Sequence, residues 1–434
     1  MEIIIIILCV VYFLRVLTIK IGSKKCRQNY KIDKSELNEY NCVYPKVSVI
    51  VPARNEENCI ERCILSLVDS NYPVNHYEII IVNDRSTDKT LDIIEKLANQ
   101  HKQIKICNIT SETANPNLRG KPGAIQAGIN ISFGDIILMT DADCKVHQNW
   151  IISIANQFKE VLAQKIQSNE NARNNTTSSN ITSNSDNNSC NNNSHDNNSR
   201  NNNFCNSNTE EKFISQEKPL GMVCSYTNLR ADKPFHYFQA AEWAYMHTMA
   251  STGIWIGTVL GCFGNNIAIS RDAFFKIGGY ENLEFSVTED YVLLKAIFNA
   301  GFQVRYLCED WTTVETLPVE TFSEYMSQHK RWAIGGAALG WKAALYVFSS
   351  VCLWFAIIIS FFVGDLYLSL ISVLLRFIGD ALILFPIFDK LNTGYLKKWI
   401  PFSVIFYSFI ELILPFTLFS KNVKWKGQIF ERVK

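Results

Sequence analysis

The apolar residues of this chain are gathered at its two ends, and that distribution limits the possible folds more than any other feature. Ile3–Leu14 is an unbroken apolar run that resumes after Arg15 as Val16–Ile19, and Ala343–Ser420 is apolar over most of its length. Runs of about 20 apolar residues match the hydrocarbon core of a bilayer, where a helix satisfies its own backbone hydrogen bonds. The expectation is an integral membrane protein with a soluble body between its membrane segments. The average composition, 47% hydrophobic over 434 residues, conceals this division. It does exclude collagen-like, wholly disordered and small disulfide-rich chains. A net charge of +1 gives no electrostatic reason for a nucleic-acid partner.

A cleaved leader has its basic residues before the apolar run, whereas here Lys20, Lys24, Lys25, Arg27, Lys31 and Lys34 follow it. Residues 1–21 therefore read as an uncleaved anchor whose C-terminal side faces the cytoplasm. Within 343–420 three stretches are long enough to span: Ala343–Gly364, Leu366–Phe388 and Ile400–Phe419. Arg376 and Asp380 fall one helical turn apart in the middle one, where they can pair inside a bundle. Four complete spans would carry the basic tail 421–434 outside, against the charge rule, so one segment is re-entrant or interfacial or the topology departs from the rule. The thirteen cysteines form no Cys-x-x-Cys pair and no zinc-spaced cluster, which suits reduced, buried thiols.

Between the ends, strand and helix patterns alternate. Lys46–Val51, Glu78–Val82, Lys105–Ile109 and Asp135–Met139 read as strands. Asn55–Ser70, Thr87–Asn99 and Ala124–Asn130 read as helices, as does Trp150–Ile166. That order predicts an α/β fold with a doubly wound, mostly parallel sheet, in which ligands bind beyond the carboxyl ends of the strands. The loops Ala53–Glu57, Asn83–Asp88 and Asp141–Cys144 fall at those ends. Residues 169–208 hold 18 asparagines and little apolar surface, and read as a disordered insertion before the strand Leu220–Ser225. Sequons such as Asn180-Ile181-Thr182 within it carry no meaning if the body is cytosolic.

Several polar residues sit where chemistry is possible. Asp141 and Asp143, one small residue apart after a buried strand, repel unless a cation or proton lies between them; a hard ion, Mg²⁺ or Mn²⁺, bridging phosphate oxygens is the natural occupant. A turn is the plain alternative for such a pair. Asp84 closes the second strand, where it could accept from a base or ribose or simply cap a turn. Arg119-Gly120-Lys121 precedes a helix and offers cations and N–H groups to an anion, if it is more than a solvated basic loop. Glu289-Asp290 opens the helix Tyr291–Ala300, as caps or with one acting as a general base. Gln328, Arg331 and Trp332 share one helix face just ahead of the membrane segments, a pattern that an interfacial anchor would also produce.

Taken in order, Val47–Glu57 (Val-Ser-Val-Ile-Val-Pro-Ala-Arg-Asn-Glu-Glu), Asn83–Asp88, Arg119–Lys121, Asp141-Ala142-Asp143, Thr288-Glu289-Asp290 and Gln328-His329-Lys330-Arg331-Trp332 resemble the membrane-bound branch of the inverting family 2 glycosyltransferases, with a GT-A fold and a Gln-x-x-Arg-Trp motif. The resemblance covers residues 46–336 apart from the Asn-rich insertion. It implies that Ala53 and Glu56 line the nucleotide pocket, that Asp84 contacts uracil and that Lys121 lies near the diphosphate. Asp141 would contact the nucleotide and help Asp143 hold a Mg²⁺ or Mn²⁺ cofactor, with Glu289 beside the substrate. Asp290 would be the base, and Gln328, Arg331 and Trp332 would close over the diphosphate on the acceptor side. Where the family usually has a small residue after the uracil-binding Asp, this chain has Arg85. Gly261–Arg271 resembles the stretch that builds the acceptor cleft, and aromatic residues crowd Phe235–Trp255 before it. Lys424–Gly427 is similar to the ending of ceramide-glucosyltransferase-like members.

The implied reaction is a single in-line displacement, with inversion, from a UDP-sugar donor. Few membrane segments and few polar groups within them favour a lipid or lipid-linked glycan acceptor. A processive polysaccharide synthase of the chitin, hyaluronan or poly-N-acetylglucosamine type, which needs a polar pore, is the alternative. A catalytically dead nucleotide-sugar-binding scaffold would be expected to lack Asp143, Asp290 or Arg331, and all three are present. The expected location is the inner (plasma) membrane of a bacterium, multi-pass, with the catalytic domain in the cytoplasm.

Overall fold

The computed structural model describes residues 1–30, 44–160, 162–163, 218–336, 340–417, 422–425 and 428–431. The Asn-rich stretch 169–208 and most of a second compact unit, Lys159–Pro219, lie outside the described residues, as do Lys31 and Lys34. The first unit, Met1–Phe158 with Leu220–Lys434, is described below.

Among the described residues, seven strands form the main sheet in the order β3-β2-β1-β4-β8-β6-β9. They are β1 (Val47–Ala53), β2 (Tyr77–Asp84), β3 (Ile104–Ile109), β4 (Ile136–Met139), β6 (Leu220–Ser225), β8 (Ile267–Ser270) and β9 (Gln303–Leu307). Only β8 runs against its neighbours; β1, β2, β3 and β4 pair in parallel, as do β6 and β9. Both faces of β1 and β2 are buried, which is why they read as continuous Val/Ile runs. Strand β1 extends past the expected Val51 to Ala53. Pro52 is tolerated because β4 stops pairing at Ile50 while β2 follows β1 to Ala53. Strand β8, with an Ile-Ala-Ile-Ser pattern too short to stand out from sequence, is missing from the expected list.

The helices α2 (Ile60–Val68), α3 (Thr90–Gln100), α4 (Lys121–Asn130) and α5 (Trp150–Ala155) follow the strands, as the alternation requires. Helix α2 starts five residues later than expected, because Asn55–Glu57 are held in a loop. Helix α4 starts three residues earlier and makes Lys121 its first residue. A small sheet, β5-β10-β7, joins β5 (Lys145–Val146), β10 (Val314–Thr316) and β7 (Thr227–Leu229).

Helix α1 (Glu2–Asn29) runs eight residues beyond Ile21 because its last turns pack on α6 (Pro234–Trp255) and the sheet. A Cβ on Gly22 would lie 2.6 Å from the Thr252 methyl, and the Cys26 thiol donates to the Tyr306 carbonyl at 3.6 Å. Helices α7 (Arg271–Lys276), α8 (Glu289–Asn299) and α9 (Phe322–Gly336) complete the body. Helices α10 (Gly340–Val363), α11 (Leu366–Lys390) and α12 (Ile400–Thr417) follow. Among the described residues three helices are long and apolar enough to cross a membrane: α1, residues Ala344–Val363 of α10, and α11. Helix α12 is a helix of 18 residues and stands outside those three.

Arg376 does reach Asp380, at 3.4 Å, but it also holds Glu411 of α12 at 3.0 Å. Ser350 and Trp354 of α10 donate to the same Glu411 carboxylate at 3.3 and 2.9 Å. The described cysteines are free thiols.

Candidate active site

The parallel strands end along one edge of the sheet, so the loops after β1, β2 and β4 lie side by side there. The first two are laced together. Asn55 accepts from the Thr87 N–H at 2.8 Å, the Glu56 N–H donates to Thr90 Oγ1 at 2.8 Å, and the Glu57 carboxylate accepts from the Lys89 N–H at 3.0 Å. Asn55 (φ 54°) and Arg85 (φ 56°) both occupy the left-handed region that costs a side-chain-bearing residue about 1–3 kcal/mol. Strain of this kind, set in two adjoining loops at a cleft, marks a site that the surrounding bonds over-determine. Asp84 is buried between two guanidiniums, with Arg85 Nε at 2.8 Å and Arg54 at 3.9 Å. Arg85 thus clasps Asp84, its neighbour in sequence.

After β4 the chain brings Asp141 and Asp143 to the same edge. Lys121 Nζ lies 2.7 Å from Asp141 and 3.2 Å from Glu289, and its ammonium is held above its ordinary range by these acids against the opposing effect of burial. Asp143 accepts from the Thr316 hydroxyl at 3.1 Å, and its backbone carbonyl from the Arg62 guanidinium at 2.5 Å. Among the described residues no three His, Cys, Asp or Glu side chains gather as a metal cage. The donor set is instead one or two carboxylates beside an open cavity, which suits a hard cation completing its shell with phosphate oxygens.

Asp290 sits in the first turn of α8 with both oxygens satisfied, Oδ2 by the Gly264 N–H and Oδ1 by the Tyr291 N–H, each at 2.8 Å. Burial, and then the adjacent Glu289 carboxylate, lift its carboxyl to about 6; Lys121 and the two N–H groups act in the other direction and are outweighed. A carboxylate near 6 is matched to accept a proton at neutral pH.

Helix α9 lies over this site, carrying Gln328, Arg331 and Trp332. His329 of the same helix donates from Nε2 to Glu242 of α6 at 2.7 Å and from Nδ1 to the Tyr325 carbonyl at 2.8 Å; the Tyr325 hydroxyl donates to the other Glu242 oxygen at 2.8 Å. Both ring nitrogens face acceptors, so only the imidazolium satisfies both. Burial opposes that charge, yet Glu242 and the carbonyl hold the imidazole above its ordinary value. Trp332 packs edge-on to Trp243 of α6 at 5.8 Å and to Phe263 at 6.3 Å.

One cavity of about 1600 Å³ runs past the strand-end acids, the start of α8 and α9. Its walls include Ala53, Glu56, Asp84, Lys121, Asp141 and Asp143 at one end, then Glu289, Asp290, Gln328, Arg331 and Trp332. It continues between α6, α10 and α12 along Met246, Met249, Val347, Phe355 and Leu412. The structure therefore brings Ala53, Glu56, Asp84, Lys121, Asp141, Asp143, Glu289, Asp290, Gln328, Arg331 and Trp332 to the walls of one space, whereas Arg85 and Arg119, also marked in the sequence, are not among its lining residues. Sequence reasoning passed over Arg62, Thr316, Glu242 and Arg15. Their only signals are polar residues within otherwise apolar or strand-forming stretches. Gly264 lay within the Gly261–Arg271 stretch already marked.

Comparison with known proteins agrees with this architecture. The family described as glycosyl transferase family group 2 matches residues 195–419, and the one described as glycosyl transferase family 2 matches residues 48–212. The chain belongs to glycosyl transferase family group 2. A probable glycosyltransferase of Bacillus subtilis, YdaM, is 27% identical over 306 residues, 67% of this chain and 55% of its own. A beta-monoglucosyldiacylglycerol synthase of a Nostoc species is 31% identical over 123 residues, 28% of this chain and 25% of its own. The chain thus spans about half the length of the first relative and a quarter of the second. Among solved structures, the mannosyltransferase PcManGT of Pyrobaculum calidifontis, in complex with GDP-Man and Mn²⁺, superposes with a TM-score of 0.52 at 15% identity. The match covers 94% of this chain and 99% of that one, and the shared architecture is the GT-A fold.

Proposed function

We propose that this protein is a membrane-bound inverting glycosyltransferase that moves a sugar from a UDP-sugar to a hydroxyl of a lipid or lipid-linked glycan. The observation that carries this reading is the continuity of the cavity from the carboxylates of Asp141 and Asp143, past Asp290, to apolar walls between the C-terminal helices. A water-soluble acceptor needs no apolar corridor, whereas an acyl or prenyl chain does. The glucosyldiacylglycerol in the Nostoc relative's name supports the same class. In this reading residues 46–336 are the catalytic domain, on the cytoplasmic side with the basic residues that follow α1, and residues 1–21 and 343–420 hold it in the membrane.

The residues divide the work. Ala53, Glu56 and Asp84 seat the nucleoside, and Lys121 at the start of α4 offers its ammonium to the diphosphate. Asp143, with Asp141, would hold a Mg²⁺ or Mn²⁺ ion, whose chemistry is to neutralise the charge that develops on the leaving diphosphate. Asp290 takes the proton from the acceptor hydroxyl as its oxygen attacks the anomeric carbon from the face opposite the leaving group. Arg331 supplies a fixed positive charge to the departing diphosphate, and Gln328 and Trp332 close the acceptor side and exclude water. One displacement without a covalent intermediate inverts the anomeric configuration.

The test uses the full chain reconstituted in lipid with Mn²⁺ and a panel of labelled UDP-sugars, the products being separated by solvent extraction and by size. A single-sugar, organic-soluble product is expected. Label only in a long, water-soluble polymer would overturn the lipid-acceptor reading in favour of a processive synthase.

A further inference from the structure

Arg15 interrupts the first apolar run, and the mechanism above makes no use of it. It lies midway along α1, one turn before Ile19, whose carbonyl accepts from the Thr252 hydroxyl of α6 at 3.2 Å. The side chain is buried, 8% exposed, and its Nε and Nη1 have no hydrogen-bond partner among the described residues. Its guanidinium carbon stands 5.5 Å from the Tyr12 ring and 5.6 Å from the Tyr245 ring. The nearby acids Asp380 and Glu411 are both paired with Arg376, and Arg15 adds an electrostatic attraction to each. The Tyr245 hydroxyl is likewise buried without a partner among the described residues. Arg15 and Tyr245 both line the cavity that holds Asp290, next to Met246, Met249 and Tyr346.

Unsatisfied donors inside a membrane bundle are costly and are retained where a ligand or transport path uses them. We infer that Arg15 and Tyr245 form a lipid-binding subsite at the membrane end of the cavity, donating to a phosphate or ester-carbonyl oxygen of the acceptor lipid while its hydroxyl reaches Asp290. This rests on the lipid-acceptor reading and deepens it. The acceptor then carries an oxygen-rich backbone as well as a chain, and the apolar walls beyond Arg15 hold that chain.

The experiment measures lipid retention by native mass spectrometry on the detergent-solubilised full chain, with phosphatidylglycerol and dioleoylglycerol as probes, for the wild type, Arg15→Met, Arg15→Lys and Tyr245→Phe. Arg15→Met is expected to weaken retention about tenfold or more and Tyr245→Phe about two- to tenfold, with Arg15→Lys between them. Loss for phosphatidylglycerol alone assigns the phosphate; loss for both lipids assigns the ester oxygen. If Arg15→Met does not fold, Tyr245→Phe and Arg15→Lys carry the test. Retention of both lipids at wild-type strength in the folded variants overturns the subsite. Failure of the wild type to glycosylate any lipid overturns the acceptor reading instead, and is read separately in the transfer assay.

Discussion

His329 and Glu242, 87 residues apart in sequence, meet at 2.7 Å and tie the helix bearing Gln328, Arg331 and Trp332 to the long helix α6. The imidazolium also donates to the Tyr325 carbonyl one turn back in α9, and the Tyr325 hydroxyl donates to the other Glu242 oxygen, so the charged ring and this hydroxyl together tie α9 to α6. Because the folded-state value lies above the ordinary 6.5, the stability that this pair contributes is fully present below about 6.5 and is lost as pH rises through the raised value. Glu242→Gln is expected to lower kcat about tenfold and to move the alkaline limb of kcat to lower pH, with donor binding nearly unchanged. An unaltered pH profile, with an unaltered Tm across the same range, would remove the pair from the mechanism.

Asp290→Asn should keep UDP binding and lose about 10²–10⁴ in transfer, the usual range for a general base. In the wild type, kcat/KM should fall as pH drops below about 6, because the protonated Asp290 cannot accept the acceptor's proton. An acidic limb that persists unchanged in the Asn variant would assign it to another group.

Removal of divalent cations with a chelator should weaken UDP-sugar binding, measured by calorimetry, and Asp143→Ala should reproduce most of that loss. Mn²⁺ titration should restore the wild type and not the variant. Full activity after exhaustive chelation would mean that Lys121 and Arg331 suffice for the diphosphate.

Gly22→Ala places a methyl 2.6 Å from Thr252 and 2.9 Å from Trp255, a gap closed only by moving α1 away from α6. The expected cost is about 1–3 kcal/mol, the range for overpacking a tight contact, read as a lower Tm in detergent. Retained Tm would show that the N-terminal helix and the body are less closely coupled than their packing implies.

The sequence by itself determined the elements whose cause is local. Apolar length marks α1, α10 and α11, and the Val/Ile runs of β1 and β2 mark strands buried on both faces. The acids at the ends of parallel strands sit where that topology opens a crevice. Each follows from backbone satisfaction and burial within one element, which short windows record.

Tertiary structure alone decided the rest. Glu242 looks like any acid in an aromatic-rich helix until α9 brings His329 to it. Arg15 reads as a break in an apolar run until α6 sets Tyr245 beside it. Thr316 reaches Asp143 only because β10 pairs with β5 in a second sheet. Contacts between elements that lie dozens to hundreds of residues apart leave no periodic trace. They depend on how helices and sheets pack, and that packing is set by all of their faces together.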